Sequence, residues 1–517
     1  MKSPVVLSSL LDSEILEFAL RGEIEGLTVT SLTADSRLVS KGSLFFAVKG
    51  EKLDGSKFIP QAVSQGASVI VIEGSDSYES VKALAPNTPV IAVSDMRLAI
   101  SSMASRFYDS PSEKMCCIGV TGTNGKTSVS WLTAQALSII TNAPSGKIGT
   151  LGNKLIIEAE VFDRPGLCQT TSPDPLELHG YLAKCVDEGA RSVVMEVSSH
   201  ALVQKRMHSV EFDACIFTNL SRDHLDYHHT FEAYGDAKAL LFTEVLQKSH
   251  KKDTFSVINI DDSFGSELYK KLVNKPGTKV LSYSTKNIHA DVSVHEVITQ
   301  THGTEVTFRL GKQAARAQCK LIGDYNVSNL TAVVTLLHGF GYSAMQIAYA
   351  IAKLTPVPGR LELVADSHPA VFVDYAHTPD GLINAQQSLR KLVKGRMITV
   401  FGCGGDRDRG KRPEMGKAVA QLSDVLIVTS DNPRTEDPNR IISDILPGIE
   451  EVLKEKQVEY LVVPNRREAI FKAVEIASST DTILIAGKGH EDYQEVHGVR
   501  HPFSDQVISR EALGITN

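Results

Sequence analysis

The chain has 517 residues, with 54 Lys plus Arg against 61 Asp plus Glu and a formal charge of −7. At ~150 residues per domain this length predicts about three domains, each able to bury its own core. An apolar fraction of 42% with 22% charge argues against a largely disordered chain. The mild acidity argues against a dedicated nucleic-acid binder, which would carry a basic excess.

The start, MKSPVVLSSLLDSEILEFAL, holds one Lys and an apolar stretch interrupted by Asp12 and Glu14, which makes a poor signal peptide. No later apolar run is long enough to span a bilayer. The seven cysteines form no CxxC pair, so a disulfide framework and a cysteine zinc site are both disfavoured. The expectation is a reduced, soluble, cytoplasmic protein with no membrane or nucleic-acid partner. No exposed coiled coil or apolar helix stands out, and the expected state is a monomer.

Short, continuously apolar runs recur along the chain: CCIGV, SVVMEV, ACIFTN, FSVINI, MITVF, DVLIVT and TILIAG. Each leads through a glycine-rich or polar turn into a helical pattern, as in βαβ units with mostly parallel sheets buried on both faces. The predicted class is therefore α/β. VIAVSD ends a first segment near residue 97, and TPVPGR at 355–360 precedes another strand. These boundaries predict domains over 1–97, 98–356 and 357–517. Within the middle one, ADVSVHEVITQTHGTEVTFRL reads as an antiparallel pair. There is no internal repeat.

Ligands of open α/β sheets sit outside the carboxyl ends of the strands, and the polar clusters of this chain fall at such ends. Gly122-Thr123-Asn124-Gly125-Lys126-Thr127 follows one strand and opens the helical stretch SVSWLTAQALSII. Glycines let backbone amides converge on phosphate oxygens at a helix N-terminus. Lys126 can reach terminal phosphates and the Thr127 hydroxyl can hold Mg²⁺. The strict Walker pattern would place Gly where Val120 stands, so the match is to GKT with a variant loop. Glu196 ends SVVMEV and is a candidate Mg²⁺ ligand, while Ser198 and Ser199 suit helix capping equally well. Asp223, His224, Asp226 and His228 invite a zinc reading, but no HxH or HExxH spacing supports it. Lys238, in YGDAKALLF, reads from periodicity as a snorkelling surface lysine.

Taken together, DSRLVSKGSLFFAVKGEKLDG, TGTNGKT, TSPD, MEVSSHALVQKR, TNLSRDHLDYH, the AK of YGDAKALLF, LIGDYN, PGRLE, VDYAHTPDGL, GCGGDRDRGKRP, SDNPR and AGKGHE stand in an order that resembles the Mur ligases over nearly the whole chain. The resemblance implies a smaller N-terminal α/β domain binding the UDP end through Ser36, Arg37 and the Asp54-Gly55 loop. It implies a central P-loop ATPase domain and a C-terminal Rossmann-like domain that brings the amino acid. By similarity, Lys238 is carbamylated and shares Mg²⁺ with Thr127, Glu196 and His224, and Lys126, Glu196, His224 and Lys238 form the catalytic set. Asn326, Arg360, Asp374 and His377 join the P-loop residues as ATP contacts. Thr170, Thr171, Ser198, Gln204 and Arg206 match the positions that hold the muramoyl-dipeptide, although TTSPD carries an extra Ser against the commoner TTPD. The implied reaction is ATP-dependent addition of the third stem-peptide residue to the D-Glu γ-carboxylate of UDP-MurNAc-L-Ala-D-Glu through an acyl phosphate, with Mg²⁺ as cofactor.

Arg434, in Asp431-Asn432-Pro433-Arg434, and Arg407 offer planar forks suited to a carboxylate. A substrate with a distal carboxylate fits such a pocket, and lysine fits it badly. The resemblance accordingly favours the type that adds meso-diaminopimelate, with Gly487 and Glu491 holding the distal groups. The competing reading of Arg434 is a cap on Glu436. Competing functions are a lysine-adding relative, a folylpolyglutamate synthetase-like ligase and a P-loop ATPase without ligase chemistry.

Overall fold

The continuously apolar runs become parallel strands whose side chains alternate between two buried layers. In the sheet of residues 362–486, Phe372, Phe401, Leu426, Val428 and Leu484 face one core. Val371, Val373, Ile398, Val400, Ile427, Ile483 and Ile485 face the other. Helices cover both faces, so both are mainly apolar, and buried Thr399 is matched by hydrogen bonds from Gln386 and Ser423. Leu382, Ala385 and Leu389 of helix Pro379–Arg390 close the first core, together with residues of Lys411–Leu422 and Pro438–Leu453. Ala469, Ile470 and Ala473 of helix Arg466–Ile476 close the second.

The computed structural model describes residues 3–11, 15–19, 24–50, 54–158, 160–163, 171–300, 302–365 and 369–515. Two compact units result, one of residues 1–283 with 335–340 and the other of 284–334 with 341–517.

The first unit holds a five-stranded sheet in the spatial order Leu16–Ala19, Val90–Val93, Val69–Glu73, Ser43–Phe46, Ser31–Thr33. Only its Leu16–Ala19 edge is antiparallel. It also holds the parallel run Ser145–Ile148, Ser192–Glu196, Cys116–Thr121, Ala214–Phe217, Phe255–Asn259, Lys279–Ser284. An antiparallel hairpin, Lys154–Ile157 with Glu160–Asp163, extends that sheet beside Ser145–Ile148.

In the second unit the strand order is Glu362–Ala365, Ala370–Asp374, Thr482–Ala486, Met397–Phe401, Val425–Val428, Glu459–Val462. All neighbours are parallel except the first pair. Thr482–Ala486, late in the chain, inserts between two earlier strands and creates the crevice where such sheets bind ligands. The expected antiparallel pair is present as Val292–Gln300 with Gly303–Leu310. A third strand, Gln313–Cys319, extends it beyond what the sequence suggested. Among the described residues no helix is long and apolar enough to cross a membrane.

Candidate active site

The phosphate loop is built where strand Cys116–Thr121 ends and helix Lys126–Thr141 begins. Its shape is fixed from the adjacent strand end. Thr123 N donates to Asn219 O at 2.8 Å, Asn124 N donates to Asn219 Oδ1 at 2.9 Å, and the Thr218 hydroxyl donates to Asn124 O at 2.6 Å. Gly122 has φ 146, and a Cβ there would collide with the Thr218 hydroxyl, so glycine is required. Lys126 Nζ folds back on its own loop, donating to Gly122 O at 2.8 Å and Thr123 O at 2.9 Å.

Glu196 is fully buried at the end of its strand, and both carboxylate oxygens are engaged. Oε1 accepts Lys147 Nζ and Thr150 N, each at 2.9 Å. Oε2 accepts the hydroxyls of Thr127 and Thr150, each at 3.0 Å. Burial alone would raise its pKa, but Lys147, with help from Lys126 and Thr127, leaves the carboxyl below its ordinary value. Lys147 is itself fully buried on strand Ser145–Ile148. Nothing in the pattern SGKIGT signals its role, because a lysine inside a buried strand is legible only once its partner is in place.

Lys238 corrects the surface reading drawn from periodicity. It is 1% exposed on helix Phe231–Leu240 and donates to Gly122 O at 2.8 Å. The same carbonyl accepts Lys126. Burial first, and then the Lys126 charge, hold the Lys238 amine well below the usual lysine range. His224 stands in the left-handed region at φ 51, with its ring 5.0 Å from His200 and 6.0 Å from Tyr234. Burial lowers its pKa as well, which favours the neutral ring.

Ser198, Gln204 and Arg206 gather next to Glu196. Arg206 binds Gln204 Oε1 through Nε at 2.9 Å and Ser172 O through Nη1 at 2.8 Å. The Ser172 hydroxyl donates to Glu196 O at 2.9 Å, and Ser198 caps helix Ser199–Val203 by accepting from Ala201 N. Thr171 is partly buried beside Ser172, while Thr170 lies outside the described residues. Ser36 and Arg37 belong to the five-stranded part. Ser36 donates to Gln61 Oε1 at 3.0 Å, and the exposed Arg37 pairs with Asp35. Asp54 caps the turn Gly55–Phe58 through Ser56.

In the second unit, site residues follow the carboxyl ends of strands Ala370–Asp374, Met397–Phe401, Val425–Val428 and Thr482–Ala486. Asp374 is spent on shaping the backbone, accepting Leu361 N and Ala376 N, each at 2.7 Å. Arg360 lies 4.6 Å over the Tyr375 ring, with its buried Nε lacking a hydrogen-bond partner. His377 packs 4.8 Å from the same ring, and His490 5.1 Å from it. Tyr375 thus centres a platform that the motif reading overlooked. Asn326 is buried, with its amide donating to Ile322 O at 2.8 Å.

Arg434 adopts the left-handed region at φ 51, a conformation that costs a branched-out side chain energy and needs outside support. The hairpin strand Tyr493–Val496 supplies it: Arg434 N donates to Glu495 O at 3.0 Å, and His497 N donates to Arg434 O at 2.6 Å. The guanidinium then reaches Gly405 O at 2.7 Å through Nη1. Arg407 is exposed and approaches the same turn at Gly404, where both arginines lie within 4 Å of a hypothetical Cβ. Glu436 is held by Arg412 and Asp406 N, so Arg434 does not cap it. Asp431 and Asn432 are buried, with Pro433 turning the chain toward Arg434. Asn432 Nδ2 donates to Glu491 Oε2 at 2.8 Å. Gly487 has φ 118, and a Cβ there would lie 2.7 Å from Asp431 Oδ2. Lys488, unassigned within the sequence motif, is fully buried between Asp431, Asn432 and Glu491.

Residues 28–108 match the model of the Mur ligase family catalytic domain, 120–337 the Mur ligase middle domain, and 359–489 the Mur ligase glutamate ligase domain. A UDP-N-acetylmuramoyl-L-alanyl-D-glutamate--2,6-diaminopimelate ligase of Ectopseudomonas mendocina (strain ymp) is 41% identical over 489 residues, covering 94% of this chain and 96% of its own. The ligase of the same name from Xanthomonas campestris pv. campestris (strain 8004) is 41% identical over 516 residues, covering 99% and 98%. A solved structure carrying that ligase name superposes with a TM-score of 0.67 at 33% identity, covering 94% of this chain and 95% of its own.

Proposed function

The chain belongs to the Mur ligase family, and from that premise we propose that it joins meso-diaminopimelate to the D-Glu γ-carboxylate of UDP-MurNAc-L-Ala-D-Glu, at the expense of ATP, in peptidoglycan synthesis. The observation that carries the choice of amino acid is Arg434, braced by the hairpin with its guanidinium on Gly405 O, in the same loop whose Asn432 holds Glu491. A carboxylate and an ammonium on the same distal carbon meet complementary groups there.

The chemistry follows from the residues. The amides of the loop Gly122–Gly125 and the helix N-terminus at Lys126 bind the ATP phosphates. The D-Glu γ-carboxylate oxygen bonds to the γ-phosphorus as the bond to the β,γ-bridging oxygen breaks, giving an acyl phosphate and ADP. Lys126 swings from its loop carbonyls to neutralise the charge that gathers on the transferring group. The free amine of diaminopimelate then attacks the acyl carbon, phosphate leaves, and the amine proton is lost to form the amide.

Mur ligases use ATP together with Mg²⁺, and the Thr127 hydroxyl and Glu196 carboxylate, 3.0 Å apart, are the hard oxygen donors that such an ion takes. The ion would be held by Thr127, Glu196, His224 and carbamylated Lys238, and when bound it supplies charge neutralisation at the phosphates. Burial that holds the Lys238 amine well below the usual lysine range supports carbamylation, because only the unprotonated nitrogen can bond to CO₂. Asn326, Arg360, Asp374 and His377 are assigned to the nucleotide. Ser36, Arg37, Thr170, Thr171, Ser198, Gln204 and Arg206 are assigned to the UDP-muramoyl substrate. The division into domains at about residues 97 and 356 goes with these assignments, as does a cytoplasmic monomer.

Mass spectrometry of the UDP-muramoyl product is the test. Purified protein with ATP and the UDP-MurNAc-dipeptide should give an amide product with diaminopimelate and far less with lysine. ATP turnover that proceeds without any amide product would overturn the ligase reading, and equal use of lysine would overturn the specificity.

A further inference from the structure

We infer that Lys488 is a positioning residue that sets the amino-acid specificity of the second-unit site. The inference rests on the diaminopimelate reading and deepens it.

Lys488 immediately follows Gly487 at the carboxyl end of strand Thr482–Ala486, and its side chain is fully buried. Its Nζ lies 2.9 Å from Asn432 Oδ1, 3.0 Å from Glu491 Oε2 and 3.5 Å from Asp431 Oδ1. An ammonium has three protons, and these acceptors use all of them, so Lys488 has none left for a ligand. Its influence passes through its neighbours.

That influence takes two forms. The first is orientation. Asn432 Oδ1 accepts Lys488 Nζ and also Glu495 N at 2.9 Å, so the amide cannot flip. Its Nδ2 is thereby aimed at Glu491 Oε2, at 2.8 Å. With Lys488 on the same oxygen, Oε2 of Glu491 is doubly occupied, and Oε1 is the oxygen left to receive a substrate ammonium. The second is charge. Asp431 and Glu491 would make a pocket that attracts any cation, but Lys488 sits between them, and Arg434 and Arg500 both face Glu495, whose backbone N is bound to Asn432. The distal end of diaminopimelate carries an ammonium and a carboxylate and sums to zero. The distal end of lysine carries an ammonium alone. A balanced pocket suits the first, and the fixed Lys488 and Arg434 cations repel the second. Without Lys488 the two carboxylates are under-compensated, and the pocket turns toward the lone ammonium.

The experiment compares wild type with Lys488→Met in steady-state kinetics, with diaminopimelate and lysine as alternative acceptors and KM also measured for ATP and the UDP-MurNAc-dipeptide. The expected result is a KM for diaminopimelate raised at least tenfold, with the other two KM values within twofold of wild type. The ratio of kcat/KM for diaminopimelate over lysine should fall by at least tenfold. Loss of both acceptors in equal proportion, or an unchanged ratio, would overturn the inference and leave Lys488 a structural residue. Lys488→Gln keeps a donor without the charge. It carries the same comparison if the Met variant is insoluble, and a wild-type ratio there also overturns the charge role. The wild-type arm stands apart, since a wild type that does not use diaminopimelate removes the functional reading itself.

Discussion

The two strand-end sites solve opposite electrostatic problems. In the first unit, Lys147 is buried against Glu196, the Lys238 amine is held well below the usual lysine range, and Lys126 rests on the loop carbonyls of Gly122 and Thr123. The loop amides and the helix N-terminus add positive potential to that of Lys126, and a polyphosphate relieves it. In the second unit, Lys488, Arg434 and Arg500 are matched against Asp431, Glu491 and Glu495. That balance gives little general attraction and rewards a ligand whose own charges alternate. A site can thus bind by surplus charge or select by matched charge, and this chain uses each where its substrate demands it.

Substitutions at the two sites should therefore behave differently. The largest effect is expected for Lys238→Ala, which should lower kcat about 10³-fold. Added formate or acetate should restore part of the activity if the missing group is a carbamate, and an absence of rescue would break that assignment. Lys147→Met leaves Glu196 without its buried counter-ion and should cost about 3 kcal/mol of stability, read from denaturant unfolding of the variant. An unchanged midpoint would mean that Lys126 and the threonines suffice. Arg434→Lys keeps the charge and loses the fork, so KM for diaminopimelate should rise by roughly 10- to 100-fold, with KM for ATP unmoved.

The effect that is smallest at neutral pH appears only in acid and belongs to the first unit. His179 is fully buried, neither ring nitrogen has a hydrogen-bond partner, and burial pushes its pKa down to about 3. The unfolded chain binds a proton at this residue below its ordinary value of ~6.5, whereas the folded chain does not. Its contribution is complete above that pH and is lost as pH falls toward 3, by about 1.4 kcal/mol per unit. His179→Leu should flatten the acid limb of the stability curve, and an identical limb would locate the acid sensitivity elsewhere.

The sequence makes the strand–loop–helix around Lys126 legible because glycine spacing, an apolar strand and a helical pattern all converge on it. The parallel sheets are equally plain, since strands buried on both faces are mostly apolar along their length. Strand Gln313–Cys319 escaped because its buried positions are Ala315, Ala317 and Cys319, too small and weakly apolar to stand out. Lys238 misleads for a different reason. Its Ala and Leu neighbours say only that it lies on a helix, and burial against Gly122 O is a contact across 116 positions of sequence. Lys147 and Thr150 are defined by Glu196, 49 and 46 positions away. Charge partners of this kind leave no local pattern, and the family resemblance reached Lys238 where periodicity failed.

The bracing of Arg434 also matters for how this protein could change. Its backbone is held in an unfavourable conformation by hydrogen bonds to Glu495 and His497, in a hairpin that bears no recognisable chemical motif. The geometry of the fork is therefore encoded partly in the register of Tyr493–Val496 against Val499–Pro502. A one-residue insertion or deletion at the hairpin tip would move Arg434 while leaving every motif letter intact. For inheritance, that makes the hairpin a hidden tuning element, able to drift the preferred amino acid through lengths and turns.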